Sequence, residues 1–397
     1  MTESVKMLAK QAESELRNNI LPFWIDKVKL PDGMFLGRID GTGRACPDAE
    51  VGGIMCARIL WTYSSAYRIL GEASYLDMAT QAKELIFNRF YDKDFGGTYW
   101  SLNPDGSPKE TKKQIYSIAF TIYGLSEYYR ATGDATALDM AKSLFRDIEE
   151  HSFDSSLNGY FEAFARDWSE IGDMRLSDKD ANERKTMNTH LHILEAYTGL
   201  YRVWKDETLA ASLENLIRLF LDRILGSDGH LRLFFTDDWR CPYLIHSYGH
   251  DIETSWLLDE AALVLGNGEL LAAVRERVPQ ICKAASEGLD SDGALFYERK
   301  DGHTDKDKHW WVQAECVVGF FNLWQLSGDA GALEKAQRCW EFIKDSLVDR
   351  EEGEWFWSIR SDGSVNRTDD KAGFWKCPYH NGRMCMELIE RTNIQIL

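Results

Sequence analysis

Several features are missing from this 397-residue chain, and each absence removes a class of function. No apolar run approaches the roughly 18 residues that a membrane helix needs, so the chain is not expected to span a membrane. The opening residues, MTESVKMLAK, hold no apolar signal core. Secretion is therefore not expected, and a cytoplasmic location is. Basic residues are in deficit: 46 Lys and Arg stand against 64 Asp and Glu, a net charge of −18. Such a field repels phosphate backbones and argues against nucleic acid as a partner. The eight cysteines, at 46, 56, 241, 282, 316, 339, 377 and 385, form no CxxC pair. Reduced, scattered thiols are expected, with no zinc site built from them. The sequence has no HExxH helix, P-loop or dinucleotide fingerprint. Low-complexity segments and interdomain linkers are absent too.

What is abundant is aromatic. There are 14 Trp, 16 Tyr and 19 Phe. Most such rings fill a core, and aromatic faces also stack on sugar rings. A glycine–aromatic motif recurs six times: PDGMF (31–35), FGGTYW (95–100), LNGYF (157–161), SDGHLRLFF (227–235), SDGALFY (291–297) and EEGEWFW (351–357). Its key glycines are Gly33, Gly97, Gly159, Gly229, Gly293 and Gly353. Each motif reads as a small hairpin or turn. Between them fall LGEASYL (70–76), TGDATAL (132–138), WKDETLA (204–210), GNGELLA (266–272) and SGDAGAL (327–333). These read as short breaks between two helices.

The repeat predicts about twelve helices, over 4–20, 50–70, 73–90, 113–131, 134–151, 183–204, 207–224, 249–266, 268–287, 309–327, 330–346 and 378–391. Segments such as SYLDMATQAKELIFNRF (74–90) carry charge on one face. Their partners, such as GGIMCARILWTYSSAYRIL (52–70), are apolar nearly all round and belong inside. The expected fold is all-α: one (α/α)6-barrel domain over 1–397, with short β-hairpins in the long loops. An open solenoid is the alternative. In the barrel all inner helices start at the end that carries the long loops, so their first turns line a funnel there.

Those first turns are polar for buried helices. They hold Arg58, then Tyr116, then Asn188, His190, His192 and Glu195, then His250 and Glu253, then Trp310, Trp311 and Glu315, and the segment leading into the last helix adds Trp375 and His380. A lone buried histidine is usually just a satisfied core residue, and His190, two positions from His192, is read that way. The set is harder to explain by structure, because each unpaired buried polar group costs about 1–3 kcal/mol. Asn188, His192 and Glu195 share one helix face, as do Trp311 and Glu315. His250 and Glu253 are i, i+3, so the carboxylate is expected to orient that imidazole. Imidazole exchanges protons near neutrality, and a helix start favours its neutral form. Two such bases flanking one carbon suit epimerisation, with Arg58 stabilising an enediolate oxygen. Two competing uses stay open. His192, His250 and Glu253 have the donor types of a metal site. Glu253 and Glu315 have those of a glycosidase pair, which would leave the histidines idle.

Four strings carry a resemblance to a known family: TMNTHLHILEAYTGLYRVW (186–204), GHDIETSWLLDEAA (249–262), KHWWVQAECVVGF (308–320) and FWKCPYHNGRMCMEL (374–388). With them the chain resembles the N-acylglucosamine 2-epimerase superfamily, and the repeat spacing extends the likeness to nearly its whole length. The resemblance implies the (α/α)6 barrel. It also implies reversible C2 epimerisation of the reducing-end glucose in β-1,4-linked disaccharides through ring opening and a cis-enediolate, without cofactor, metal or nucleotide. By the same resemblance, His250 and His380 match the two acid/base histidines, and His192 a third that assists ring opening. Arg58, Tyr116, Asn188, Glu253 and Glu315 match polar positions around the sugar. Trp310 or Trp311, with Trp375, matches the stacking positions. A monosaccharide epimerase or aldose–ketose isomerase on the same barrel is a second reading, and a non-catalytic sugar-binding barrel a third. The default assembly is a monomer or weak homodimer.

Overall fold

The computed structural model describes residues 3–393. Thirteen α-helical segments run through it: α1 (Glu3–Glu15), α2 (Leu21–Lys27), α3 (Gly53–Leu70), α4 (Ala73–Leu85), α5 (Ile115–Thr132), α6 (Ala135–His151), α7 (Met187–Val203), α8 (Glu207–Leu219), α9 (Tyr248–Leu265), α10 (Gly268–Ala285), α11 (Trp310–Ser327), α12 (Ala330–Phe342) and α13 (Tyr379–Asn393). A wide turn at Leu16–Ile20 joins α1 to α2 in one rod, which makes twelve rods. The first rod runs past the expected end at 20. Pro22, which lacks an N–H, is accommodated directly after the wide turn. The α7 rod starts at Met187 rather than 183, because Lys185–Thr186 is extended and paired with Phe234–Phe235.

The helices α3, α5, α7, α9, α11 and α13 form a ring. Each touches the next, and α13 packs back on α3. That closing contact excludes the solenoid and makes the fold an (α/α)6 barrel. The short breaks work as read. Inner helices α3, α5, α9 and α11 end on Gly71, Gly133, Gly266 and Gly328, all at positive φ. Outer helices α6, α8, α10 and α12 begin on Asp134, Asp206, Asn267 and Asp329, whose side chains accept backbone N–H bonds, while α4 follows Glu72, which makes no such bond. The turn at α7 lacks the glycine, and its cap residue Trp204 is extended instead.

All six motif glycines have positive φ. Each turn is closed by one antiparallel bridge, from Lys29↔Phe35 to Val348↔Trp355. Gly159 shows why no side chain fits: φ is +93°, and a Cβ would lie 2.4 Å from Trp239. The longer pairings run between neighbouring loops. Extended residues entering an inner helix pair with those after the next glycine turn, as Val51–Gly52 does with Ser101–Leu102. A bridge between Ile39 and Ala372 joins the first loop to the last. The loop end of the barrel is thus stitched into a continuous collar around the helix starts. Among the described residues, no helix is long and apolar enough to cross a membrane.

Candidate active site

Inside the collar a cavity of about 520 Å³ opens over the inner helix starts. It is lined by Arg58, Tyr116, Asn188, His192, His250, Glu253, Trp310, Trp311, Trp375 and His380. Of the residues matched to catalytic or sugar-binding positions, only Glu315 is absent from the lining; it lies behind His380. The barrel makes this grouping by register. Arg58, His192, Glu253 and Glu315 are each the sixth residue of their inner helix, and Phe120 holds that position in α5. One layer, one to two turns down, therefore carries the polar groups.

The three histidines are held by Nδ1. His380 Nδ1 meets Glu315 Oε1 at 2.7 Å, and His192 Nδ1 meets Glu195 Oε2 at 2.9 Å. His250 departs from expectation: its Nδ1 is bonded to Ser247 Oγ at 2.8 Å, not to Glu253. Glu253 turns away to the guanidinium of Arg383, 2.7 Å from Nη2, because a buried carboxylate is drawn to the nearest cation. In each case Nε2 is left for a substrate. Trp311 packs against both catalytic candidates, with ring centroids 4.8 Å from His250 and 5.7 Å from His380. Gly249 makes room for it, since a Cβ there would lie 2.6 Å from the indole. His190 is structural as read: Nδ1 bonds Thr186 O and Nε2 accepts the Tyr160 N–H.

Arg58 donates to Tyr116 Oη at 2.8 Å and to the Trp375 carbonyl at 3.2 Å. Its guanidinium lies 4.3 Å from the Phe120 ring centre. Trp310 packs on Trp357, and Trp375 on Trp100. Both Trp310 and Trp311 line the cavity, so both are placed to meet a sugar. Four lining residues keep a buried polar atom without a protein partner among the described residues: Arg58 Nε, Asn188 Oδ1, Glu253 Oε2 and Trp310 Nε1. Sugar hydroxyls are suitable partners for such groups.

Potential ligand atoms of Glu253, Glu315 and His380 lie within 4.8 Å of one another, a spacing that would suit an ion. The chain's own cation already sits there. Arg383 donates to both carboxylates, at 2.7 and 2.6 Å, and closely to Glu195 as well. The grouping expected for a metal, His192 with His250 and Glu253, does not form. His192 and Glu253 are turned to Glu195 and Arg383.

Burial sets the protonation states. It pulls His250 and His380 down to about 3, although Glu315 opposes it at His380. His192 is lowered by burial against the pull of Glu195. Burial pushes Glu253 well up, and the charge of Glu315 adds to this. At Glu315 burial also pushes upward, but Arg383 and His380 outweigh it and hold the carboxyl at about 2. An ionised Glu315 can only accept, so His380 carries its proton on Nδ1 and Nε2 is unprotonated.

These states tie stability to pH. His190, His250, His309 and His380 stay neutral when folded, lowered by burial to between about 4 and about 3. In the unfolded chain they take protons near pH 6.5. Glu162, raised to about 7 by burial, and Glu253 bind protons when folded and offset about half of that uptake. Across these six groups the unfolded state binds more protons, so their share of stability is lost on acidification from about pH 7 towards 5. Urea midpoints measured from pH 7 to 5 should fall. Constant or rising midpoints would refute the assignment.

Sequence reasoning missed Arg383, Tyr379, Trp256 and Ser247. The helical register held a signal for two of them: Arg383 is i+3 from His380 and i+4 from Tyr379. It also missed the loop residues Leu176–Asp180, which line the cavity mouth with Arg38 and Asp370.

The family model described as N-acylglucosamine 2-epimerase (GlcNAc 2-epimerase) matches residues 33–382. A cellobiose 2-epimerase of Bacteroides fragilis is 59% identical over 388 residues, covering 97% of this chain and 99% of that protein. One from Ruminococcus albus is 42% identical over 387 residues, with the same coverage of 97% and 99%. The solved structure of cellobiose 2-epimerase from Bacillus thermoamylovorans is similar at a TM-score of 0.94 and 40% identity, over 97% of this chain and 100% of that one.

Proposed function

The chain belongs to the N-acylglucosamine 2-epimerase family, and from that premise we propose that it reversibly epimerises C2 of the reducing-end glucose in β-1,4-linked disaccharides. Cellobiose becomes glucosyl-mannose, and lactose becomes epilactose. The observation that carries the chemistry is the shared position of His250 and His380. Both line one cavity, each packs on Trp311, and each is held through Nδ1 with Nε2 left over.

The steps follow from proton transfer alone. His192 and Arg58 engage the ring oxygen and O1 and open the sugar to its aldehyde. Nε2 of one histidine takes the C2 proton. The C–H electrons move into the C1–C2 bond, and the C1–O1 π electrons move onto O1, where Arg58 balances the charge. The product is a cis-enediolate. Rotation about C2–C3 presents the opposite face, and the other histidine returns a proton from its Nε2–H. No hydride or electron leaves the substrate, so no redox partner is needed. Trp310, Trp311 and Trp375 supply faces for the two sugar rings.

The test is NMR of the protein with cellobiose in D2O and EDTA. A new mannose-type anomeric signal with deuterium at C2 is expected. No product and no exchange, with cellobiose and again with lactose, would reject the disaccharide reading.

A further inference from the structure

One cation lies beneath the cavity wall and outside its lining. The Arg383 side chain is 1% exposed and sits on α13 between the rings of Trp256 and Tyr379, 4.7 and 4.3 Å from their centres. Its guanidinium meets carboxylates from three helices: Glu195 of α7, Glu253 of α9 and Glu315 of α11. Two of the three are the carboxylates that hold histidines. Glu195 takes Nδ1 of His192, and Glu315 takes Nδ1 of His380. Tyr379 Oη bonds Glu195 as well, and Trp256 Nε1 donates to Glu315 Oε2 at 3.0 Å. A guanidinium has a planar fork of donors and stays charged, so it can serve several acceptors at once where an ammonium is a single point charge.

We propose that Arg383 is a positioning residue that fixes both histidine-holding carboxylates, so that His192 and His380 present Nε2 to the sugar in a set orientation and protonation state. The proposal rests on the epimerase reading. Without the guanidinium, the ionised Glu195 and Glu315 face each other and the Glu253 carboxyl in a dry pocket. Protons must then enter, onto a carboxylate or an imidazole, and the pair that must be ionised and neutral for catalysis titrates higher. The groups around His192 are Glu195, Arg58, His250 and Tyr116. Those around His380 are Glu315, Glu253, His250 and Arg58. Of all these, Arg58 alone is a cation, and it lies at the cavity rather than among the carboxylates. Arg383 pulls both imidazoles and both holding carboxylates toward their unprotonated forms.

The experiment compares wild type, Arg383→Met and Arg383→Lys on cellobiose across pH, with folding checked by circular dichroism and Tm. Arg383→Met is expected to lose about 10²–10³-fold in kcat, within the span of a general acid–base contribution. KM should change by less than about threefold, since Arg383 touches no substrate. The acid limb of its kcat/KM profile should move up by about one pH unit or more. Arg383→Lys restores the charge and should regain about tenfold, with the limb returned toward wild type. A purely structural arginine would lower Tm in both variants and leave the limb where it is. A folded Arg383→Met with an unmoved limb therefore overturns the proposal.

If Arg383→Met fails to fold, Glu195→Gln, Glu315→Gln and their double variant test the same link with the arginine in place. Coupling through Arg383 makes the two losses non-additive, by about fivefold or more. Simple multiplication overturns the proposal. If wild type turns over no sugar, the epimerase reading fails and the proposal falls with it; an active wild type with additive variants overturns the proposal alone.

Discussion

Replacing His380 by alanine is expected to lower kcat on cellobiose by about 10³–10⁴-fold while leaving the dissociation constant within about threefold. The same is expected of His250→Ala. Binding should survive because the tryptophans, Arg58 and Asn188 remain in the lining. The fold should survive too. Glu315, the partner of His380, keeps Arg383 on Oε1 and Trp256 on Oε2, so no buried charge is stranded. Ser247, the partner of His250, is a neutral hydroxyl. A sharper readout separates two-base epimerisation from a single shared base. Each variant retains one histidine and can still remove and return the proton on one face. Deuterium should therefore enter C2 of one epimer without inversion, and His250→Ala and His380→Ala should label opposite epimers. Turnover within tenfold of wild type in either variant, or exchange from both epimers in one variant, would contradict the two-base mechanism.

The partners of the two imidazoles also differ in kind. A carboxylate fixes His380 as a donor at Nδ1, so its Nε2 is a base at rest. The hydroxyl of Ser247 donates or accepts, so His250 can rest as either tautomer and change with turnover. In the proposed two-base reaction one histidine starts with a proton on Nε2 and the other without. The resting pair, His380 unprotonated at Nε2 and His250 able to carry a proton there, would serve one direction, and the roles exchange for the reverse.

Much of this arrangement was legible in the sequence because the repeat is regular where it matters. Six glycine turns and five helix breaks set the number of rods, and the rod count with alternating burial sets the ring. Once the ring is set, residues in and just before the first two turns must converge, which is why Arg58, Tyr116, Asn188, His192, His250, Trp310, Trp311, Trp375 and His380 are found together. Pairings within the layer were less legible. The i, i+3 spacing of His250 and Glu253 placed them on one face, but a helix face does not say which neighbour is the strongest cation. Arg383 won Glu253 from across the barrel. Glu315, on one face with Trp311, turned behind the wall to His380 for the same reason. The long-range partner outbids the local one wherever a buried charge has no water to fall back on. The loop residues 176–180 carried no periodic signal at all, and their place at the mouth depends on the collar.

A second repeat escaped the sequence because loops of unequal length separate its members, and it leads to a large expected effect on stability. Lysines in the collar bury their ammonium groups against aspartates at the glycine turns: Lys113 on Asp92, Lys185 on Asp154, Lys308 on Asp290 and Lys371 on Asp349. Where the chain enters α9, His246 stands in the lysine's place. In the first pair neither side chain is exposed. Asp92 also accepts from Arg166 at 2.8 and 3.0 Å. Burial pushes the Asp92 carboxyl up, but Arg166 and Lys113 outweigh it and hold it below the ordinary range. Its contribution is therefore full above about pH 4 and lost as pH falls through the lowered native value. Asp92→Ala strands the Lys113 ammonium and is expected to cost about 3–5 kcal/mol. In a chain of this length that corresponds to a Tm lower by about 4–6 °C. Neither residue lines the cavity, so kcat per folded molecule should stay within about twofold. The decisive comparison is the double variant Asp92→Ala/Lys113→Met. If the cost is that of an unpaired buried charge, removing the second charge returns stability, and the double variant melts above Asp92→Ala. If it melts lower still, the aspartate works through its turn and its bond to Arg166, and the lysine pairing is not what holds the collar to the barrel.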